Sequence, residues 1–310
     1  MTSDDTMKIA ITGCTGMIGS DLAELALSKG IEVVAIVRPN SERLSNINKY
    51  KGIEIIEADL KDYNDIKTTS KCDMFFHLAW NKTSVSGRDD VDVQVDNIRY
   101  LLDSIRLAKR MGAETFVGAG SQAEYGLVSE PINGDTTVDP ISGYGIAKYA
   151  GGKMGKLLCD QLGMRFNWAR ILSVYGIKDS EKTLISYVIN TLLKGETPEL
   201  TPCEQLWDYI YSKDAADAFL SIGLNGKNGR TYTIGSGNGR PLKDYVEDIK
   251  NLIDENAKID YGSKDYYPHQ PMYLKADIRQ LTEDTGFTPR YSFKEGVKEI
   301  LDSKKESDII

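Results

Sequence analysis

The sequence predicts an α/β protein built on a parallel, doubly wound sheet, with a smaller α/β substrate lobe toward the C-terminus. Three observations carry that prediction. Through the first 170 residues, apolar runs of buried-strand type alternate with helical runs, as happens when helices cover both faces of a parallel sheet. The first strand runs into a glycine-rich turn and then a helix, the opening of a β-α-β unit. Beyond about residue 170 the alternation loosens, which sets a less regular second half apart from the first.

The elements follow in order. KIAIT (8 to 12) is a short apolar strand, and after GCTGMIG the run SDLAELALSKG carries apolar positions at helical spacing up to a glycine stop at Gly30. IEVVAIVRP is the second strand, closed by Pro39. IEIIEADL (53 to 60), DMFFHLAW (73 to 80) and TFVGAGS (115 to 121) are further buried strands, with the helix VDNIRYLLDSIRLAKRMG between the last two. ARILSVYG and TYTIGSG read as strands of the second half, and LISYVINTLLKG and LKDYVEDIKNLI as its helices. The final DSKKESDII reads as a frayed tail, and no internal repeat is found. The expected division is a dinucleotide-binding unit over 1–170, to which 208–235 returns, and an interleaved smaller lobe over 171–310.

Composition narrows the partners. A chain of 310 residues with 41% hydrophobic and 27% charged residues can bury a sizeable core. Its formal net charge of -8 disfavours a nucleic-acid partner. Cys14, Cys72, Cys159 and Cys203 are scattered without CxxC spacing, and His77 and His269 are the two histidines, so reduced thiols and no metal site are expected. The opening MTSDDTMK is short and polar, and no stretch approaches the ~20 apolar residues of a membrane span. These features predict a cytoplasmic protein without a membrane partner.

Two patterns carry chemistry. In TGCTGMIG, Gly13, Gly16 and Gly19 are spaced GxxGxxG between a strand and a helix. The first glycine permits a tight turn, the second lets backbone approach a pyrophosphate, and the third lets the helix pack on the strand. The helix N-terminus then faces the phosphates. In SGYGIAK, Tyr144 and Lys148 stand four apart, on neighbouring turns of one helix face. That spacing by itself does not separate a catalytic pair from an ordinary helix surface.

TGCTGMIG, ADL (58 to 60), FHLAW (76 to 80), GSQAEYG (120 to 126), YGIAK (144 to 148) and WDYIYSKDAADAF (207 to 219) occur in the order seen in extended short-chain dehydrogenases/reductases. Over most of its length the chain resembles this family of NAD(P)-dependent nucleotide-sugar epimerases, dehydratases and ketoreductases. The resemblance implies a Rossmann-type sheet and catalysis by Ser121, Tyr144 and Lys148, with Asn97 supporting the proton relay. A phenol with its ordinary pKa of ~10 is a poor proton shuttle at neutral pH, and the Lys148 cation stabilises its phenolate. The same lysine is implied to hold the nicotinamide ribose, and the Ser121 hydroxyl to bind the reacting oxygen. Implied cofactor contacts are Gly13, Thr15, Gly16, Met17, Ile18 and Gly19 at the turn, Asp59 and Leu60 at the adenine edge, and Leu78, Ala79 and Trp80 beside the cofactor. Gly118 and Gly120 offer backbone room under the pyridine ring or serve packing.

Cofactor choice rests on the end of the second strand, IVRPNSER. An acid there usually holds the ribose 2'-hydroxyl of NAD, whereas arginine meets the extra phosphate of NADP. Arg38 stands at that place, with Ser41 and Arg43 as further donors, which predicts NADP, NAD being the alternative.

The substrate side departs from well-known members of the family. Dehydratases carry Asp-Glu after the Ser/Thr, where this chain has Gln122 and Ala123, so dehydration is not expected. Glu124 is one position further on and would point elsewhere along an extended segment. Trp207 replaces an arginine that many epimerases use on the diphosphate, and its indole could stack on a base or pack against the lobe. Arg240, Lys264 and Arg279 are candidate substitute cations. Ser173 stands where relatives often have a substrate-binding asparagine. Lys82, Thr83, Ser84 and Arg88 are further candidates near substrate, with Tyr266, Tyr267 and His269 on an opposite wall. The expected function is NADP-dependent reduction of a keto-sugar, a nucleotide-linked 4-keto-6-deoxy hexose, with Tyr144 as proton donor. The alternative is a nucleotide-sugar 4-epimerase that regenerates its cofactor, and a third reading is a dinucleotide-sensing regulator without turnover. Analogy with the family adds a homodimer paired through the helices that contain Asn97 and Tyr144.

Overall fold

The computed structural model describes residues 6–267 and 270–307. Strand β1 (Lys8–Thr12) enters the glycine turn and helix α1 (Met17–Ser28), followed by β2 (Glu32–Val37), a short α2 (Ser45–Asn48) and β3 (Ile53–Glu57). Next come β4 (Met74–His77), α3 (Val91–Arg110), β5 (Thr115–Ser121), α4 (Gly143–Leu162) and β6 (Arg165–Ile171). The second half begins with β7 (Ser173–Tyr175), α5 (Leu184–Leu193), β8 (Glu199–Leu200), β9 (Leu206–Trp207), β10 (Tyr209–Tyr211) and α6 (Ser212–Asn225). It ends with β11 (Thr231–Ile234), β12 (Arg240–Pro241), α7 (Leu242–Ile253), β13 (Asp260–Tyr261), α8 (Arg279–Thr285) and α9 (Phe293–Ser307).

Seven strands form one parallel sheet in the order β11-β6-β5-β4-β1-β2-β3. Its central strands are buried on both faces, which is why FFH and KIAIT show no polar alternation. One face packs on α1 and α6 through Leu22, Ala23, Ala216 and Phe219, the other on α3 and α4 through Leu101, Ile105 and Cys159. Chain order reverses between β1 and β4, where Thr12 is in register with His77 and His77 with Gly118. A ligand crevice forms beyond the strand ends at such a switch point. The chain crosses into that sheet again late, since β11 pairs with β6 after α6 has packed on α1. The remaining small strands and α5, α7 and α9 enclose a separate apolar core around Val188, Tyr211, Val246 and Val297.

Two details correct the sequence reading. The segment expected as a frayed tail is helical as far as Ser307, because Val297, Ile300 and Leu301 anchor α9 in the second core; residues 308–310 lie outside the described residues. ARILSVYG is two strands. Leu172 still bonds to Ile234 in the main sheet, but Ser173–Tyr175 turns away to pair with Tyr209–Tyr211. No described helix is long and apolar enough to cross a membrane.

Candidate active site

At the crevice, Gly13 adopts a φ of +68°, and a Cβ there would sit 2.9 Å from the backbone nitrogen of Ala79. Only glycine lets the first turn lie against the end of β4 in this way. A cleft of about 510 Å³ opens beside it, lined by Gly13, Thr15, Gly16, Arg38, Ser41, Glu42, Arg43, Asp59, Leu60, Leu78, Ala79, Trp80 and Thr83. The Asn46 amide donates to the Thr15 carbonyl at 2.9 Å, which ties the loop carrying Arg38 and Arg43 to the glycine turn. A helix N-terminus beside a cleft lined by the donors Ser41, Arg38 and Arg43 suits a dinucleotide. Met17 and Ile18 open α1, and the Ile18 side chain packs on the core beneath the cleft. Gly19 is buried within α1 against the Gly13 and Cys14 backbone.

Ser121 is the last residue of β5. Its hydroxyl accepts from the Ala123 N–H at 3.1 Å, while the Glu124 carboxylate accepts from the Ser121 N–H at 2.8 Å, a reciprocal cap on a short 3-10 turn. That turn explains where Glu124 goes. It faces the interior rather than lying along an extended segment, and accepts from Trp168 Nε1 at 2.9 Å and Arg170 Nε at 2.8 Å. Both charges are buried, so each depends on the other for compensation.

Helix α4 is capped by the Ser142 hydroxyl, which accepts from the Gly145 N–H at 3.1 Å. It presents Tyr144 and Lys148 toward Ser121, both buried. Glycines make this approach possible: a Cβ on Gly152 would lie 2.8 Å from the Trp168 ring, and Gly155 packs on Phe166. Gly118 and Gly120 leave room on the strand side for the same Trp168 indole, so the structure gives them a packing role. Burial raises the Tyr144 pKa, opposed by the Ser121 hydroxyl and the Arg88 charge. Burial pushes Lys148 down to about 7, opposed by Glu124. The pair therefore consists of a buried phenol and an amine that exchanges its proton near neutrality.

Asn97 is buried rather than on a helix surface. Its side chain accepts from the Asn81 N–H and donates to the Asn81 carbonyl, each at 3.0 Å, pinning the loop that follows β4. Thr83 lies along the cofactor cleft, and the Lys82 ammonium is already paired with Asp90 at 2.5 Å. Arg88 reaches the Tyr144 ring, 5.3 Å from its centroid.

A second cavity of about 570 Å³ is lined by aromatic and apolar groups, among them Leu184, Tyr187, Leu200, Trp207, Tyr209, Leu242 and Tyr267. Trp207 Nε1 donates to the Ser173 hydroxyl at 2.9 Å, so these two candidates form one unit. Lys182 and Lys264 also border this cavity. Arg240 is instead held by Asp248 at 2.6 Å, and Arg279 is exposed and paired with Asp277. The Tyr266 hydroxyl accepts from the Glu204 N–H at 3.1 Å, and His269 lies outside the described residues. The Gln122 Oε1 is buried with no partner among the described residues. Sequence reasoning missed Arg170 and Gln94. The second was within reach, since it stands three residues before Asn97 on the same helix face.

The NAD dependent epimerase/dehydratase family model matches residues 9–235. The chain is 26% identical over 308 residues to CDP-abequose synthase of Salmonella typhimurium, covering 94% of this chain and 97% of that protein. It is 26% identical over 312 residues to a putative UDP-glucose 4-epimerase of Methanocaldococcus jannaschii, covering 97% and 99%. A crystal structure of UDP-glucose 4-epimerase with UDP-glucose from Thermotoga maritima superposes with a TM-score of 0.86 at 22% identity, over 97% of this chain and 99% of that one. With the family model spanning both the glycine turn and the late return to the sheet, the chain belongs to the NAD dependent epimerase/dehydratase family, enzymes of the extended short-chain dehydrogenase/reductase class.

Proposed function

We propose that the protein reduces a nucleotide-linked keto-sugar, a 4-keto-6-deoxy hexose, with NADPH as the hydride source. The observation that carries this reading is that Ser121, Tyr144 and Lys148 gather beside Trp80, which also lines the cleft bordered by Arg38, Ser41 and Arg43. The cofactor, when bound, supplies the hydride. Ser121 holds the carbonyl oxygen, Tyr144 delivers the proton to it, and Lys148 stabilises the phenolate left behind. Asn97 acts on this site through the backbone of Asn81. Trp207 with Ser173 forms the aromatic wall against which the nucleotide part would lie, and Gln122 faces the sugar, whereas Lys82 serves only at the rim. The names of the relatives, which carry CDP-abequose and UDP-glucose, support a nucleotide-linked sugar as the substrate class.

A second reading has one observation in its favour. Glu42 lines the same cleft as Arg38 and could take a ribose 2'-hydroxyl, which would suit NAD and a 4-epimerase that regenerates it. Stoichiometric loss of NADPH absorbance on adding a keto-sugar nucleotide separates the two, because epimerisation consumes none. In single turnovers, Tyr144→Phe should abolish NADPH oxidation at an unchanged thermal midpoint. Ser121→Ala should cost on the order of 10² in rate, and Lys148→Met should lose both rate and cofactor affinity. Near-normal turnover by Tyr144→Phe would remove the proposed proton donor.

We further divide the chain into a cofactor-binding unit over 1–170 with 208–235, and a substrate lobe from the remainder. The four free cysteines are all buried and fit a reducing compartment, the cytoplasm. A homodimer is proposed below from the outer faces of α3 and α4.

A further inference from the structure

Lys148 carries a charge into a place that offers it little. Its side chain is 3% exposed, and an ammonium has three N–H donors. Among the described residues one hydrogen-bond acceptor meets it, the Ala119 carbonyl at 2.7 Å. The other close group is aromatic: the Lys148 nitrogen lies 3.8 Å from the centroid of the Trp80 ring. An indole face is the strongest of the aromatic faces for a cation, and the attraction grows as water is excluded. Trp80 is itself held in place. Its Nε1 donates to Gln94 Oε1 at 2.9 Å, and the Gln94 amide donates to the carbonyls of Gly87 and Lys82 at 3.2 and 3.3 Å. Asn97 donates to the same Gln94 oxygen at 3.3 Å, so the residue expected in a proton relay helps to fix the indole.

We propose that Trp80 is a positioning residue whose indole face holds the Lys148 ammonium beside Tyr144. The same indole stands at 89° to the Tyr144 ring, 6.3 Å between centroids, so one side chain contacts both members of the pair. An aliphatic residue of similar size would fill the space without offering an electron-rich face.

The charged and titratable groups around Lys148 act in both directions. Burial lowers its proton affinity to about 7, and Glu124, on the turn after β5, raises it. Tyr144 lies one turn back on α4, with Arg88 over its ring. His77 on β4 feels the Lys148 charge and is itself held neutral. The Trp168 ring of β6 is 6.0 Å away. Removing the Trp80 face leaves Glu124 as the favourable charge in this set.

The proposal rests on the reading that Lys148 serves Tyr144, but its test needs no turnover. The side-chain amine of Lys148 is titrated by nitrogen-15 NMR in the cofactor-free protein, with Lys148→Met assigning the signal. Trp80→Leu should lower the midpoint by about one unit, a tenfold loss of proton affinity. Trp80→Phe, which restores an aromatic face, should lower it less. A ring-fluorinated tryptophan placed at position 80 alone keeps the shape and the Nε1–H but drains the face of electron density, and should match Trp80→Leu. The alkaline limb of the turnover profile with NADPH should move down by the same amount in each variant. An unshifted midpoint in folded Trp80→Leu overturns the proposal. Where Trp80→Leu does not fold, the fluorinated tryptophan decides alone, and an unshifted midpoint there overturns it too. A shifted midpoint in a protein that reduces no sugar nucleotide upholds the role of Trp80 and removes only the reductase reading.

Discussion

Arg38 and His77 show how single side chains set the chemistry around the crevice. Arg38 and Arg43 border the cleft with Glu42 between them, so cofactor preference is a contest between charge-assisted bonds to a phosphate and one carboxylate. Arg38→Asp should weaken NADPH by roughly tenfold to a hundredfold, the worth of one hydrogen bond to a charged group, while leaving NADH within a few-fold. Titrations of both cofactors check this, and equal weakening of both would sink the assignment. His77 is buried at the end of β4, with its Nδ1 2.9 Å from the Thr12 hydroxyl and its Nε2 without a partner among the described residues. Burial, with Lys148 second, pushes its pKa to about 3. An unfolded histidine titrates near ~6.5, so between those values the unfolded chain binds the extra proton. Stability is therefore lost as pH falls below that of the free imidazole, by up to about 1.4 kcal/mol per unit. His77→Asn should narrow the gap in urea-derived stability between pH 7 and pH 5 by about 2 kcal/mol. The same gap in both proteins would show that His77 is not the group responsible.

Helix α4 is where sequence and structure diverge most usefully. Its Tyr144–Lys148 face was legible from spacing, because the 3.6-residue period puts the pair together. The reason for AGGKMG was not. Glycine inside a helix costs about 1 kcal/mol relative to alanine, and nothing in the local sequence says what offsets it. The structure supplies the partner, a Trp168 indole pressed between Gly118 and Gly120 of β5 and Gly152 of α4. Glu124 escaped for a similar reason. Its partners Trp168 and Arg170 are more than forty residues away, and an extended reading of GSQAEYG gave no hint of the inward turn. The two- and three-residue strands of the second half show too few positions for any period to emerge. From the packing of α4, Gly152→Val should lower stability by on the order of 2 kcal/mol through overpacking, and should cut turnover by displacing Tyr144 and Lys148. A thermal midpoint at or above that of the wild type would show that the α4–Trp168 contact has slack.

At the scale of the molecule, the covered and uncovered faces of the helical layer differ. The inner sides of α3 and α4 are buried against the sheet through Leu101, Ile105 and Cys159. Their outer sides keep Val91 and Val95 on α3 and Ile146, Met154 and Leu157 on α4 exposed, at 66%, 54%, 53%, 47% and 60%. The interval is four on α3 and eight and then three on α4, so each set lies on one face. Apolar side chains that two adjacent helices both present to water form the kind of surface that another protein copy covers. A second copy brought up by a two-fold axis would cover it with the same residues, forming four helices around an apolar seam. Tyr144 and Lys148 are buried on the inward face of α4, so pairing would brace that helix without closing the cleft. Light scattering at micromolar concentration should give twice the chain mass. The double substitution Ile146→Glu and Leu157→Glu should give the single-chain mass with the far-ultraviolet circular dichroism unchanged, because carboxylates directly opposed across a two-fold seam repel and cannot be desolvated cheaply. A wild-type protein of single-chain mass would leave the stripe without a partner and defeat the pairing.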